Sequence, residues 1–331
     1  MRAKRIALTT ALLGAFAVCT LAASVASAGV DHDRPGSILI FPKVVSSATR
    51  DTTIRISNTG NMTNQVRCFY LDGDTCGTID FDLSLTKQQP TQWDVSNGRT
   101  VNLLDSFGSS GAGLDPGLIP AQGDFEGSVV CVEVVDDVPV AQNKLKGEAI
   151  IRDVTGGDDR NTSAYNAVAI TSGTGSGTSD NELVLDGDEY AQCDTVHRVD
   201  FIPDDSPGLD PVLGETSSVV TNVTVLPCDL DFSRRAPTSV VLNATLWNEF
   251  EVQTSGPDTS FSCWASFSID PASLNPATTF ATVEYSASSP VVMVVESFHS
   301  DTGLGVSGSA ARNVHTGGAA STSSITLSAT P

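Results

Sequence analysis

Two tryptophans and two carboxylates in one stretch, Trp247, Glu249, Glu251 and Trp264, are the residues best placed to do chemistry. They fall in the segment Ser239 to Ile269, whose side chains alternate with the period of two that strands show. On its first strand Leu242, Ala244, Leu246, Asn248, Phe250 and Val252 share one face. Asn243, Thr245, Trp247, Glu249 and Glu251 take the other. On the second strand Phe261, Cys263, Ala265, Phe267 and Ile269 oppose Ser262, Trp264, Ser266 and Ser268. With the Phe-rich sides in the core and a turn near Thr254 to Asp258, both indoles become cross-strand neighbours on the polar face. Indole rings cover the apolar faces of sugars while carboxylates accept hydroxyl protons, so the ribbon reads as a glycan- or protein-binding surface. The competing reading covers that face with the other half of the chain or with residues 302–324, which makes the indoles packing residues. Hydrolysis fits less well. Glu249 and Glu251 point the same way from one strand, whereas a glycosidase flanks the scissile bond with two carboxyl groups.

Other catalytic patterns are weaker. No Gly-x-Ser-x-Gly elbow occurs. His32, His197, His299 and His315 are scattered, and any Ser drawn to His299 and an Asp as a triad has no support from spacing. Three acidic loops have the oxygens that Ca²⁺ wants: Asp72-x-Asp74, Asp153 with Asp158-Asp159, and Asp186-x-Asp188-Glu189. None fits the 12-residue calcium loop. Asp and Gly also serve turns, so calcium is expected at most as a structural ion at Asp72, Asp74, Asp186 and Asp188, with no other cofactor. The expectation is a protein that is not an enzyme.

The chain begins with basic residues through Arg5, an apolar run from Ile6 to Ala23, and Ala26-Ser27-Ala28, the pattern of a secretory signal peptide over residues 1–28. Cys19 lies inside that run after Val18, which argues against lipid attachment. No later stretch approaches the ~20 apolar residues of a membrane helix. The chain carries 18 basic against 39 acidic residues, a formal −21, and loses Arg2, Lys4 and Arg5 with the leader. Such a charge repels nucleic acid and anionic lipid. The expected location is secreted, at the cell surface or in the periplasm.

Export makes disulfides the natural state of Cys68, Cys76, Cys131, Cys193, Cys228 and Cys263. Cys68 and Cys76 flank a turn and are expected to close a local loop. Cys228 with Cys263 and Cys131 with Cys193 are then the remaining pairs. Three cysteines lie on each side of the Gly/Ser/Thr stretch near residue 175, so full pairing sends an odd number of bridges across it.

Short runs with period-two alternation recur from Ser37-Ile38-Leu39-Ile40-Phe41 to Val291–Phe298, with Gly, Asn and Asp at the turns. No sustained helical period competes. The expected fold is all-β: two antiparallel β-sandwich, immunoglobulin-like domains stapled by disulfides. Domain 1 takes 29–172, a linker or long loop 173–181, domain 2 182–301, and a loose tail 302–331 with one short strand from Ser324 to Leu327. The two halves also share a pattern, Val132-Glu133 then Pro139-Val140, and Val283-Glu284 then Pro290-Val291.

The segments Ser37-Ile38-Leu39-Ile40-Phe41-Pro42, Thr53-Ile54-Arg55-Ile56-Ser57-Asn58-Thr59 and Leu246-Trp247-Asn248-Glu249-Phe250-Glu251 resemble stretches of exported bacterial β-sandwich proteins of unassigned function. That resemblance implies export and a β fold and no activity. The reading that follows is an exported, non-catalytic structural or interaction protein that takes glycan or protein partners. A secreted polysaccharide-acting hydrolase and a self-associating surface filament or coat subunit stand as alternatives.

Overall fold

A computed structural model describes residues 30–100, 116–155, 161–173, 180–204, 210, 213, 217–233, 239–271, 274–301, 306–316 and 318–328. The expected signal peptide, Asp158, Asp159 and most of the Gly/Ser/Thr stretch lie outside these. The described residues are all-β, without a helix.

The first half builds one 11-stranded sheet. Its strands are β1 (Val30–Asp31), β2 (Ile38–Ser46), β3 (Arg50–Asn58), β4 (Asn64–Asp72), β5 (Thr78–Leu85), β6 (Pro90–Asp94), β7 (Phe125–Val135), β8 (Val138–Pro139), β9 (Leu145–Asp153), β10 (Thr162–Asn166) and β11 (Val168–Ile170). The second half continues with β12 (Glu182–Leu185), β13 (Cys193–Asp194), β14 (Val196–Phe201), β15 (Ser218–Pro227), β16 (Leu230–Asp231), β17 (Ser239–Asn248) and β18 (Gln253–Ser255). Then come β19 (Thr259–Ser262), β20 (Ala265–Ser268), β21 (Ala281–Ala287), β22 (Val291–Asp301), β23 (Val306–Asn313), β24 (His315–Thr316), β25 (Ala320–Ser321) and β26 (Ser323–Thr326).

The main path of the first sheet runs β10-β9-β3-β2-β7-β4-β5. Every residue of β2 is buried: its apolar residues, on either side of Lys43, let the strand be covered on both faces. Leu39 and Phe41 enter one core, and Ile38 and Ile40 the opposite one. The second core joins the halves. Phe69, Val130 and Val132 of the first sheet meet Leu183, Leu185, Phe232 and Ile325 of the second half, and the rings of Phe69 and Phe232 stack 4.2 Å apart. A third core fills the space between β14-β17-β21 and β15-β22, with Leu242, Leu246 and Val283 on one side and Val223, Val225 and Met293 on the other.

The three disulfides differ from the expected pairs: Cys68–Cys131, Cys76–Cys263 and Cys193–Cys228. Cys68 sits inside β4 directly opposite Cys131 on β7, so it faces away from the turn that carries Cys76. Cys76 reaches instead across the halves to Cys263, the single crossing bridge that the cysteine count requires.

Three other expectations need correction. Residues 306–328 are no loose tail: β23 runs along β22, and β26 slots between β12 and β16 with Ile325 fully buried. Small residues suit such strands because the backbone supplies the pairing. The Val-Glu resemblance between the halves does not mark equivalent hairpins. β7 and β8 pair within one sheet, whereas β21 and β22 belong to different sheets. The ribbon Ser239–Ile269 turns early, at residues 248–252. Its return strand is split, with β19 beside β17 and β20 beside β15 in the facing sheet. Cys263, at φ 56°, makes the switch.

That switch buries Trp264 against the first half. Its indole Nε1 donates to the Pro42 carbonyl at 2.8 Å, and its ring lies where any side chain at Gly73 would collide. Pro42 offers that carbonyl because β2 slips register against β7 between Phe41 and Val44. The same irregularity turns the Lys43 backbone to the Tyr165 hydroxyl.

A buried ionic cluster forms a second junction. Glu296 of β22 meets Lys43 Nζ at 3.2 Å and Arg50 through both guanidinium ends, and the Ser163 hydroxyl donates to it at 2.6 Å. Burial alone raises the Glu296 pKa. The hydrogen bonds from Arg50 and the charges of Lys43 and Arg50 outweigh that and hold the carboxyl below its usual range. A depressed carboxylate stabilises the fold above the unfolded value of about 4.3 and loses that contribution as pH falls through the folded value.

Two outcomes follow. Trp264→Ala is expected to lower unfolding free energy by about 3–5 kcal/mol in denaturant titrations, and Trp264→Phe by about 1–3 kcal/mol through the unsatisfied Pro42 carbonyl. Glu296→Gln leaves the buried Lys43 ammonium without its carboxylate and Arg50 with Asp153 alone, and is expected to cost about 3–5 kcal/mol at neutral pH. That deficit shrinks as pH falls through the folded-state value, which lies below the usual carboxylate range, because the wild-type carboxyl then takes up a proton. A deficit independent of pH in urea titrations contradicts the assignment.

Candidate functional site

The structure separates the residues that the sequence grouped. Trp247 stays on the outer face of β17, half-buried, in a row of cross-strand partners: Gln253, Trp247, Thr282 and Asp200. Trp264 is buried between the halves and contributes nothing to that face. The paired-indole surface therefore does not exist, and the packing alternative holds for Trp264.

Glu249 and Glu251 lie in the turn after β17. The Asn248 side-chain oxygen accepts from the amides of Phe250 and Val252, each at 3.0 Å, while Glu251 takes the left-handed region at φ 62°. This cap ends the strand before Phe250 and Val252 can follow Leu246 into the core. Both are exposed, against the expectation that they pack inward. Glu249 Oε1 accepts from the Thr279 backbone at 2.8 Å and its hydroxyl at 3.0 Å, which holds the carboxyl below its ordinary pKa.

The acidic loops bind their own backbone. Asp72 Oδ1 accepts from the amides of Asp74 and Thr75 and from the Thr75 hydroxyl. Asp186 Oδ1 accepts from the amides of Glu189 and Asp188, which lower its pKa. Among the described residues no group of three or more His, Cys, Asp or Glu is arranged to hold a metal.

His299 Nδ1 lies 2.7 Å from Asp210 Oδ2, both buried. The Ser217 hydroxyl donates to that same carboxylate oxygen rather than to the imidazole. A nucleophilic serine needs its hydroxyl on the histidine. This geometry is a buried polar tie instead.

A concavity lies elsewhere, on the outer face of β6-β3-β9-β10. It is an open cleft of about 610 Å³ lined by Arg55, Ser57, Pro90, Gln92, Pro116, Lys146, Glu148 and Asn166, among others. Register places Gln92, Arg55, Glu148 and Asn166 in one row across the four strands. The Arg55 guanidinium bridges its neighbours, donating through Nε to Gln92 at 3.1 Å and through Nη1 to Glu148 at 2.8 Å. Asn166 is tied in turn to Asp33 at 3.3 Å. Planar amide, guanidinium and carboxylate groups thus stand at strand spacing on rigid backbone, with proline rings at the margin. Sequence reasoning missed this cleft because its row comes from four strands spread over more than a third of the chain. The available signal was the polar alternate residue of each strand, Arg55 between Ile54 and Ile56 above all.

No protein-family model matches the chain, and no curated protein matches it. Among solved structures, the crystal structure of Thermotoga maritima 1070 aligns at a TM-score of 0.27 and 11% identity, over 41% of this chain and 95% of that one. A likeness that low carries no argument.

Asp186→Ala is expected to reduce stability slightly, by under about 1 kcal/mol, with equal losses in calcium and in chelator. A calcium-dependent rise in the wild-type thermal midpoint that vanishes in the variant would show that the loop binds the ion after all.

Proposed function

We propose that this chain is an exported, non-catalytic interaction protein that engages glycan through the cleft centred on Arg55. The observation that carries the reading is the Gln92–Arg55–Glu148–Asn166 row, donors and acceptors fixed on four strands. Planar polar side chains of this kind grip vicinal hydroxyls, and the proline rings and the Arg55 and Lys146 stems offer apolar contact to sugar faces. Glu148 is the single carboxylate among the described lining residues, and it is paired with Arg55. Glycoside hydrolysis uses two carboxyl groups flanking the bond, so binding fits the cleft better than cleavage. Three disulfides support an oxidising, extracytoplasmic location. The immunoglobulin-like sandwich belongs to the same proposal, supported by the facing sheets around the third core.

Calorimetric titration across a panel of oligosaccharides tests it. At least one glycan is expected to bind, and Arg55→Ala is expected to weaken it by about tenfold or more with the thermal midpoint unchanged. Release of new reducing ends from the panel turns the reading to a hydrolase. Absence of binding to every glycan removes it.

A further inference from the structure

The turn that ends β17 pushes apolar side chains into solvent and then holds them there. Phe250 is 65% exposed, Val252 54% and Phe280 48%. Asn248 ties the amides of Phe250 and Val252, and the Glu251 amide donates to the Asn248 carbonyl, so the tip is fixed before any partner arrives. Glu249 links this turn to Thr279, beside Phe280. Alternation along β21 puts Phe280 on the same face as Thr282, the cross-strand partner of Trp247. Phe280 and Trp247 therefore share the outer face at the end of the sheet that the Phe250–Val252 turn closes.

The charge around them has one sign. No Lys or Arg occurs between Arg235 and Arg312, while Glu249 and Glu251 are exposed at this end. The cations that approach from neighbouring strands are engaged: Arg198 with Glu284 at 2.7 Å, and Arg312 with the Asp200 carbonyl. Exposed rings beside carboxylates attract cations twice, through the ring quadrupole and through the ionic charge. A second copy of this acidic chain brings the wrong sign to the same place.

We propose that the Phe250–Val252 turn, with Phe280 and Trp247, is a docking knuckle for a basic polypeptide segment. Apolar side chains of the partner cover the rings, and its Lys or Arg residues meet Glu249 and Glu251. This surface is separate from the Arg55 cleft and does not depend on it.

The test is fluorescence anisotropy of the full chain with a short labelled peptide of alternating Arg and Leu. Phe250→Ser combined with Phe280→Ser keeps the net charge and, given the exposure of both rings, the fold. It is expected to weaken binding about tenfold or more. Glu249→Gln with Glu251→Gln is expected to weaken it too and to flatten its salt dependence. Arg55→Ala is expected to leave it unchanged. Equal affinity of the Phe double variant and the wild type overturns the proposal, because it reduces the attraction to bulk charge. Displacement of the peptide by a neutral oligosaccharide overturns it in favour of glycan. A wild-type dimer in sedimentation that the Phe variant loses overturns it in favour of a second copy. If the double variant unfolds, Phe250→Ser alone carries the same expectation in direction.

Discussion

The arrangement of the two halves depends on one indole. Trp264 fills the gap above Gly73, donates to the Pro42 carbonyl and sits next to the cysteine that bonds Cys76. Packing, hydrogen bond and covalent link thus converge within a few ångströms. Each needs the others: the disulfide alone sets a distance, the indole sets an orientation, and Gly73 makes room for both. The buried Glu296 with Lys43 and Arg50 adds a polar counterpart on the far side of the first sheet, where Arg50 also lies 4.9 Å over the Phe298 ring. An ion pair so enclosed discriminates between correct and incorrect docking more than it adds net stability, because desolvation consumes most of its Coulombic gain.

The contrast between inner and outer polar groups bears on function. Inside, Glu296, Asp210, Asp51 and Glu133 all answer to neighbouring donors of the protein itself. Such groups fix geometry and are out of reach of a ligand. Outside, the Arg55 row and the Phe250 turn lie on opposite halves of the chain and differ in chemistry, one planar and polar, the other aromatic and acidic. The two contacts proposed above therefore depend on different side chains and can be lost independently.

Much of the fold was legible because burial leaves a period in the sequence. Ser37-Ile38-Leu39-Ile40-Phe41 reads as a strand and falls in one, and the alternation in Ser239–Asn248 gives the correct inward set through Leu246. What failed was anything decided by a single backbone dihedral. Cys263 in the left-handed region sends the chain from one sheet to the other, and no periodicity announces it. From that one residue follow the burial of Trp264, the loss of the two-indole surface and the unexpected Cys76–Cys263 pair. The Asn248 cap had a visible signal, since Asn bonds readily to amides two residues on, but the apolar Phe250 and Val252 outweighed it in the pattern. The cleft was illegible for a different reason: register between distant strands is set by tertiary pairing, not by local sequence.

The bond between Cys76 and Cys263 spans 187 residues and closes most of the chain into a covalent ring. Inside that ring, cleavage of any one peptide bond opens a loop without producing two separable pieces. The Gly/Ser/Thr stretch between the halves falls within it. A cut in this stretch therefore nicks the molecule yet leaves it in one piece, its halves still joined by that bond until a reductant acts.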